Sequence, residues 1–257
     1  MTLEEAKILA EQGNTDAMMA LVQYYMEDKD SDESYALAYM YQERAAEAGD
    51  ANAIVQLAQA SHAHAKFMLL MVESAGKNEN TIEAFEKCHK WSRKLMQTVK
   101  HLNIDGETVQ FSTEIYLDSI FWLSAMYCLD ENYADILEIT KDVPYPIAQA
   151  LHGMALFTLT TEPTIESSKQ QLVLLKNAMH PSFWSEKYAE TQTLEILRME
   201  TGLSLSHLLR VWEDADSAYS ALSDMQANTK DPEVKNLFLK EMFKYRKTLL
   251  GKYKYIG

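Results

Sequence analysis

The residues of this chain with chemical potential fall into three small groups. Asp28, Asp30 and Asp32 alternate as oxygen ligands do at the start of a calcium-binding loop. Such a loop needs Gly at its sixth position for the sharp turn and a bidentate Glu at its twelfth. Those positions are Glu33 and Tyr39, which argues for an acidic loop between paired helices instead. His62 and His64 are two residues apart, so on a helix they project about 200° from each other and cannot grip one zinc ion. Glu86 and His89 form one Glu-x-x-His, whereas a di-iron bundle needs two such motifs and two further glutamates. Cys88 lies beside His89, but adjacent helical residues diverge, and nothing orients the imidazole for nucleophilic catalysis. The sequence has no nucleophile elbow, phosphate-cradling glycine loop, His-Glu-x-x-His or paired Cys-x-x-Cys. The expectation is a non-enzyme with no catalytic residue, cofactor or metal. The C-terminal half is the one place where an unrecognised site would lie.

The elements that carry these residues read as helices. Gly (8) and Pro (5) are scarce in 257 residues, so turns are few and elements long, which argues for helices and against a sandwich or barrel. A hydrophobic content of 47% is enough for a sizeable core. Beyond residue 110, helices are expected at about 111–130, 146–160, 165–179, 185–201, 203–227 and 232–250. Thr201-Gly202 would end one of them. Asp231-Pro232 would start another, with Asp as the cap and Pro at the first helical position. Pro144 and Pro146 bracket a break.

The N-terminal part repeats itself. Residues 10–21 read AEQGNTDAMMAL and residues 46–57 read AEAGDANAIVQL, at an offset of 36. Ala10, Glu11, Gly13, Ala17 and Leu21 match Ala46, Glu47, Gly49, Ala53 and Leu57. Each copy ends a helix at Ala-Glu-x-Gly, where a glycine can take the left-handed conformation, and restarts one within a few residues. Asp32 or Ser31 caps the helix between the copies. One period is a helix of roughly 13 residues, an acidic loop and a helix of roughly 16, a unit that must stack on neighbours to bury its face.

These residues resemble the Sel1-like repeat, a relative of the tetratricopeptide repeat (TPR). Ala17, Leu21 and Tyr25 fit the family's first helix, with Val22 where the family has Gly. Asp32, Ala36, Tyr41, Ala45, Ala46 and Gly49 fit its second. The next unit keeps Ala53 and Leu57, with Ala58 and Ser61 at the Gly and Tyr positions. Its second helix is expected at Thr81–Thr98, where Cys88, Trp91 and Lys94 echo Ala38, Tyr41 and Arg44 at an offset of 50. That unit therefore carries an insertion, read as a longer first helix through Met71 and Val72. The resemblance is specific over about residues 6–60 and extends to about residue 100. It implies an all-α fold, an α/α superhelix (solenoid) of Sel1/TPR-like helical hairpins with a divergent helical C-terminal half. It also implies adaptor work, often in bacterial signalling, secretion or envelope biology, with no chemistry of its own. The domains expected are a repeat region at 1–102 and a helical continuation or bundle at 103–257.

Charge bears on the partner. The net charge is −14, which disfavours nucleic acid and anionic membranes. Residues 1–50 hold twelve acids against three bases, a balance of −9, and residues 231–257 hold seven bases against three acids, a balance of +4. The basic end would suit an acidic partner or head-to-tail self-association. Cys88 and Cys128 do not make a disulfide framework and fit a reducing compartment. The acidic start, MTLEEAK, lacks the pattern of a signal peptide, and no apolar run reaches a membrane span. The expectation is a cytoplasmic protein that binds another protein, itself basic, with Gln23, Tyr24, Asp28, Asp30, Asp32 and Tyr39 as the contact residues. The alternative is an acidic inhibitor or immunity-type protein that occludes a basic partner.

Overall fold

Two turns fix the start of the chain, and they match bond for bond. The computed structural model describes residues 1–28, 31–75, 79–99, 106–185, 192–248 and 251–257. Helix α1 (Leu3–Glu11) begins in a capping box between Thr2 and Glu5. It ends where Gly13 takes φ +87°, the Gly13 N–H bonds the Ala10 carbonyl and the Asn14 N–H bonds that of Leu9, both at 3.0 Å. Helix α3 (Asp32–Glu47) ends in the same way. Gly49 takes φ +99°, bonding Ala46 at 3.1 Å, and Asp50 bonds Ala45 at 3.0 Å. Both are Schellman motifs, which need a residue free of the Cβ penalty at the glycine. The residue after each glycine then caps the next helix. Asn14 accepts from the Ala17 N–H at 2.9 Å to start α2 (Thr15–Glu27), and Asp50 accepts from that of Ala53 at 2.8 Å to start α4 (Ala51–Ala75). Ser31 caps α3, its Oγ accepting from the Ser34 N–H at 3.2 Å, while Asp32 is the first helical residue.

The period continues into the packing. Ala17, Leu21, Ala53 and Leu57 are all buried, in one core with Tyr41, Ile54, Trp91 and Leu95. On α3, Arg44 lies over the Tyr41 ring and reaches the end of α1, donating to the Ala10 carbonyl at 3.2 Å and the Glu11 carboxylate at 2.7 Å. On α5 (Glu79–Val99), Lys94 lies over the Trp91 ring and reaches the end of α3, donating to the Glu47 carbonyl at 3.1 Å. Lys90 adds an ion pair to the Glu47 carboxylate at 2.9 Å. A cation therefore adds a hydrogen bond to a C-terminal carbonyl of the equivalent earlier helix in each unit. The inserted length lies in α4, which has 25 residues against 13 in α2.

The chain is all-α. Twelve α-helices occur among the described residues, and the only sheet among them is one short hairpin. It divides into two compact units, Met1–Ser119 and Ile120–Gly257, where the sequence suggested 1–102 and 103–257. The boundary falls inside α6 (Gly106–Leu129). The second unit contains α7 (Tyr133–Thr140), α8 (Pro146–Leu159), α9 (Ile165–Leu175), two 3-10 turns (Lys176–Met179 and Pro181–Trp184), α10 (Gln192–Trp212), α11 (Ala215–Asn228) and α12 (Pro232–Met242). Strands β1 (Tyr245–Lys247) and β2 (Tyr253–Tyr255) follow as an antiparallel pair.

Two sequence expectations are corrected here. Thr201-Gly202 does not end a helix; α10 runs through it to Trp212. The glycine serves contact instead, since a Cβ there would lie 2.5 Å from Met225 Sδ and 3.1 Å from the Phe238 ring. Helix α12 stops at Met242 rather than near residue 250. Tyr219 stacks on Tyr253 at 3.6 Å, Tyr245 meets Tyr255 edge-on at 5.2 Å, and the Arg210 guanidinium lies 4.0 Å from the Tyr255 ring centre. These aromatic contacts glue the hairpin to α10 and α11 and replace the expected last turns of helix.

A buried ion pair organises the middle of the second unit. Arg198 is fully buried and donates to Glu195 at 2.8 Å and to the carbonyls of Phe183 and Ser185, each at 3.0 Å. Its guanidinium also lies over the Trp184 ring. The other Glu195 oxygen accepts from the Thr229 hydroxyl. One side chain of α10 thus holds the second 3-10 turn, while its partner holds the chain just after α11.

Candidate interaction surface

Helix α2 turns Ala17, Met18, Leu21 and Val22 inward and leaves Gln23, Tyr24, Glu27 and Asp28 exposed. Gln23 and Glu27 are four residues apart, as are Tyr24 and Asp28, so each acid lies one turn beyond a larger contact group. Ser34 Oγ donates to Asp28 Oδ2 at 3.0 Å, tying the end of α2 to the start of α3, where Asp32 and Glu33 are exposed. Gln23, Tyr24, Asp28 and Asp32 therefore form one acidic patch. Asp30 lies outside the described residues.

Tyr24 has a rigid backing. Its ring meets Tyr25 edge-on at 5.3 Å, Tyr25 stacks on Tyr41 at 6.0 Å, and Arg44 lies over Tyr41 at 5.6 Å. The ladder ends at the Glu11 carboxylate. Tyr24 is its exposed end, with 52% of its surface open. Tyr39 does not belong to this patch. Tyr41 faces α2, and Tyr39, two residues back on the same helix, points about 200° away. It shares a stripe with Tyr35 and Glu43. Burial, and behind it the Glu43 carboxylate, pushes its hydroxyl up to about 12.

The residues tested for chemistry are placed elsewhere in the first unit. His62 pairs with the buried Asp118, Nε2 to Oδ2, at 3.2 Å, while His64 is exposed. His89 is buried, its Nδ1 3.1 Å from Ser119 Oγ and its ring stacked on Tyr116. Burial, reinforced by Arg93, lowers its pKa to about 4, so the imidazole is neutral. Burial, with Asp118 behind it, pushes the Cys88 thiol up to about 12. A sealed histidine and an un-ionised thiol are poor reagents at neutral pH. In the second unit Cys128 and Tyr133 both donate to Glu200, at 3.1 and 3.0 Å, and burial raises both pKa values. Among the described residues no group of three or more His, Cys, Asp or Glu could hold a metal ion. No helix among them is long and apolar enough to cross a membrane.

His89 gives the fold a pH dependence. Its pKa is near 6.5 in the unfolded chain and about 4 in the fold, so the unfolded state takes up the proton first. Its contribution is complete above pH 6.5 and is lost as pH falls towards 4, a span of about 3 kcal/mol. Urea midpoints measured between pH 7 and 4 should fall accordingly in the wild type. His89→Gln should fall less over that range. Parallel slopes would show that His89 is not the group responsible.

No family model, curated protein or solved structure matches the chain. What the protein does therefore has to be argued from its own residues. Sequence reasoning missed Asp118, Ser119, Glu195, Arg198 and Glu200. Each lies on a helix rich in apolar residues, α6 or α10, and a polar residue among them was the available signal.

Proposed function

We propose that this chain is a non-catalytic interaction scaffold of the Sel1-like, TPR-related kind, and that the α2–α3 patch of its first unit takes a basic protein partner. The observation that carries this reading is the Tyr24 ladder: an exposed ring on a packed aromatic stack, flanked by Glu27, Asp28, Asp32 and Glu33. Rigid aromatic anchors lose little entropy on binding and are frequent hot spots, and a surrounding field of one sign speeds encounter. The paired Schellman turns and the repeated cation contacts of Arg44 and Lys94 support the repeat reading, although Val22 fills the position where the family has Gly. Two buried free cysteines, Cys88 and Cys128, fit a reducing compartment such as the cytoplasm.

The test begins with affinity capture from the native host, using wild type and Tyr24→Ala as baits. Against the partner so obtained, Asp28→Asn, Asp30→Asn and Asp32→Asn together should slow association about tenfold or more at low salt and weaken its salt dependence. The Ser31 cap of α3 is left in place by these changes, so the fold should be untouched. Tyr24→Ala should act on dissociation, speeding it about thirtyfold for a hot spot of about 2 kcal/mol. Association and dissociation rates identical to wild type in both variants would remove the patch from the binding site. The same patch would serve an inhibitor that occludes a basic active site, and loss of the partner's activity on binding distinguishes that reading.

A further inference from the structure

The C-terminal hairpin has two features that the proposed scaffold role does not use. The first is an open edge. Thr248 N–H bonds the Lys252 carbonyl and Ile256 N–H bonds that of Lys244, both at 2.7 Å. With Arg246 opposite Lys254, this register turns the backbone groups of Tyr245 and Lys247 away from β2. On β2 the outward Tyr253 N–H is taken by Asp216 Oδ1 at 2.5 Å. On β1 the outward N–H groups of Tyr245 and Lys247 have no partner among the described residues.

The second is charge. Arg246 and Lys254 are directly opposed on the outer face and both exposed. Like charges in that position destabilise a strand pair. Neither has a carboxylate within ion-pair distance among the described residues. They line a shallow depression of about 350 Å³ with Lys247, Thr248 and Ile256. Phe243, two residues before β1, has 79% of its surface exposed. The opposite face is fixed to α10 and α11 by the tyrosine contacts, so the edge is presented on a rigid base.

We propose that β1 is a docking edge for an extended acidic peptide, which adds as a third strand and places a carboxylate beside the Arg246–Lys254 pair. Side chains alternate across a strand, so acids at alternate positions fall on the basic face while apolar residues between them meet the Phe243 side. Backbone bonds to Tyr245 and Lys247 set the register, and the opposed cations select the sign of the partner. A free nucleic acid strand or an anionic membrane would satisfy the cations without supplying the alternating backbone carbonyl and N–H groups of an adjoining strand.

The test uses the full-length protein and a fluorescein-labelled peptide of four Glu-Val repeats, followed by anisotropy, with a Lys-Val peptide as control. Saturable binding of the Glu-Val peptide alone is expected, weakened at least tenfold by Arg246→Glu with Lys254→Glu. Lys247→Pro removes one outward N–H at a position that does not bond β2, and should abolish binding with the charges at 246 and 254 intact. Amide exchange on the wild type gives a readout independent of that variant's folding: Lys247 should become protected when the peptide is added. Three results would overturn the proposal: no binding at millimolar peptide, binding without protection of Lys247, or equal binding of a single-stranded oligonucleotide or phosphatidylserine vesicles. In the first case the lysines only keep this edge from pairing with other chains.

Discussion

Replacing Arg198 by Met should destabilise the protein by about 3–5 kcal/mol, a large share of the stability of an ordinary domain. The guanidinium is fully buried, and its removal leaves the Glu195 carboxylate in the interior without its counter-charge. It also leaves the carbonyls of Phe183 and Ser185 without their donor. An unpaired buried charge costs far more than the pair contributes, because a matched pair offsets most of its own desolvation. Glu195→Gln placed on top of Arg198→Met should therefore recover part of the loss. Urea midpoints of the four proteins in this cycle decide it. A double variant as damaged as the sum of the two single ones would show that the residues do not act as a pair.

Leu21→Ala should cost about 2–5 kcal/mol. Leu21 is 1% exposed and lies among the small and branched residues that join α2 to α3 and α4. Its neighbours α3 and α4 are fixed at their starts by the Ser31 and Asp50 caps, so the cavity cannot collapse freely, and the upper part of the range is expected. Leu57→Ala, the equivalent change in the next unit, should behave alike. Ile8→Ala is the control: Ile8 is 58% exposed, and its loss should change stability by no more than about 0.5 kcal/mol. A denaturant midpoint unmoved by Leu21→Ala would show that the inward register of α2 is wrong.

The features legible in the sequence are those fixed by short-range chemistry. The Gly13 and Gly49 turns follow from residues within one helical turn of each other, and they set where α2 starts and where α3 ends. The extension of α4 was visible as an excess of apolar residues before the next matching aromatic, Trp91. What escaped depends on contacts between distant parts of the chain. Gly202 looks like a helix stop in isolation, but Met225 and Phe238 require its missing side chain. The hairpin carried a signal that was outweighed: Tyr245-Arg246-Lys247 and Tyr253-Lys254-Tyr255 alternate with a period of two around Gly251, which takes φ +81°. The abundance of lysine there reads equally well as a solvated helix face. The patch at Tyr24 was legible as exposure, but its separation from Tyr39 was not, because that rests on which face of α3 meets α2.

The paired turns at Gly13 and Gly49 have a consequence in time. Each closes a helical hairpin with only a handful of connecting residues, so the entropy of bringing partners together is small. Chains whose contacts are mostly between sequence neighbours fold quickly. At a synthesis rate of about 5–20 residues per second, a unit of this size emerges over a few seconds, long after its own helices can pair. The first hairpin can thus be complete while the ribosome is still reading the second. The late step belongs to Arg198 and Glu195, whose partners Phe183 and Thr229 lie on either side of α10: that lock cannot shut until the chain beyond α11 has been made.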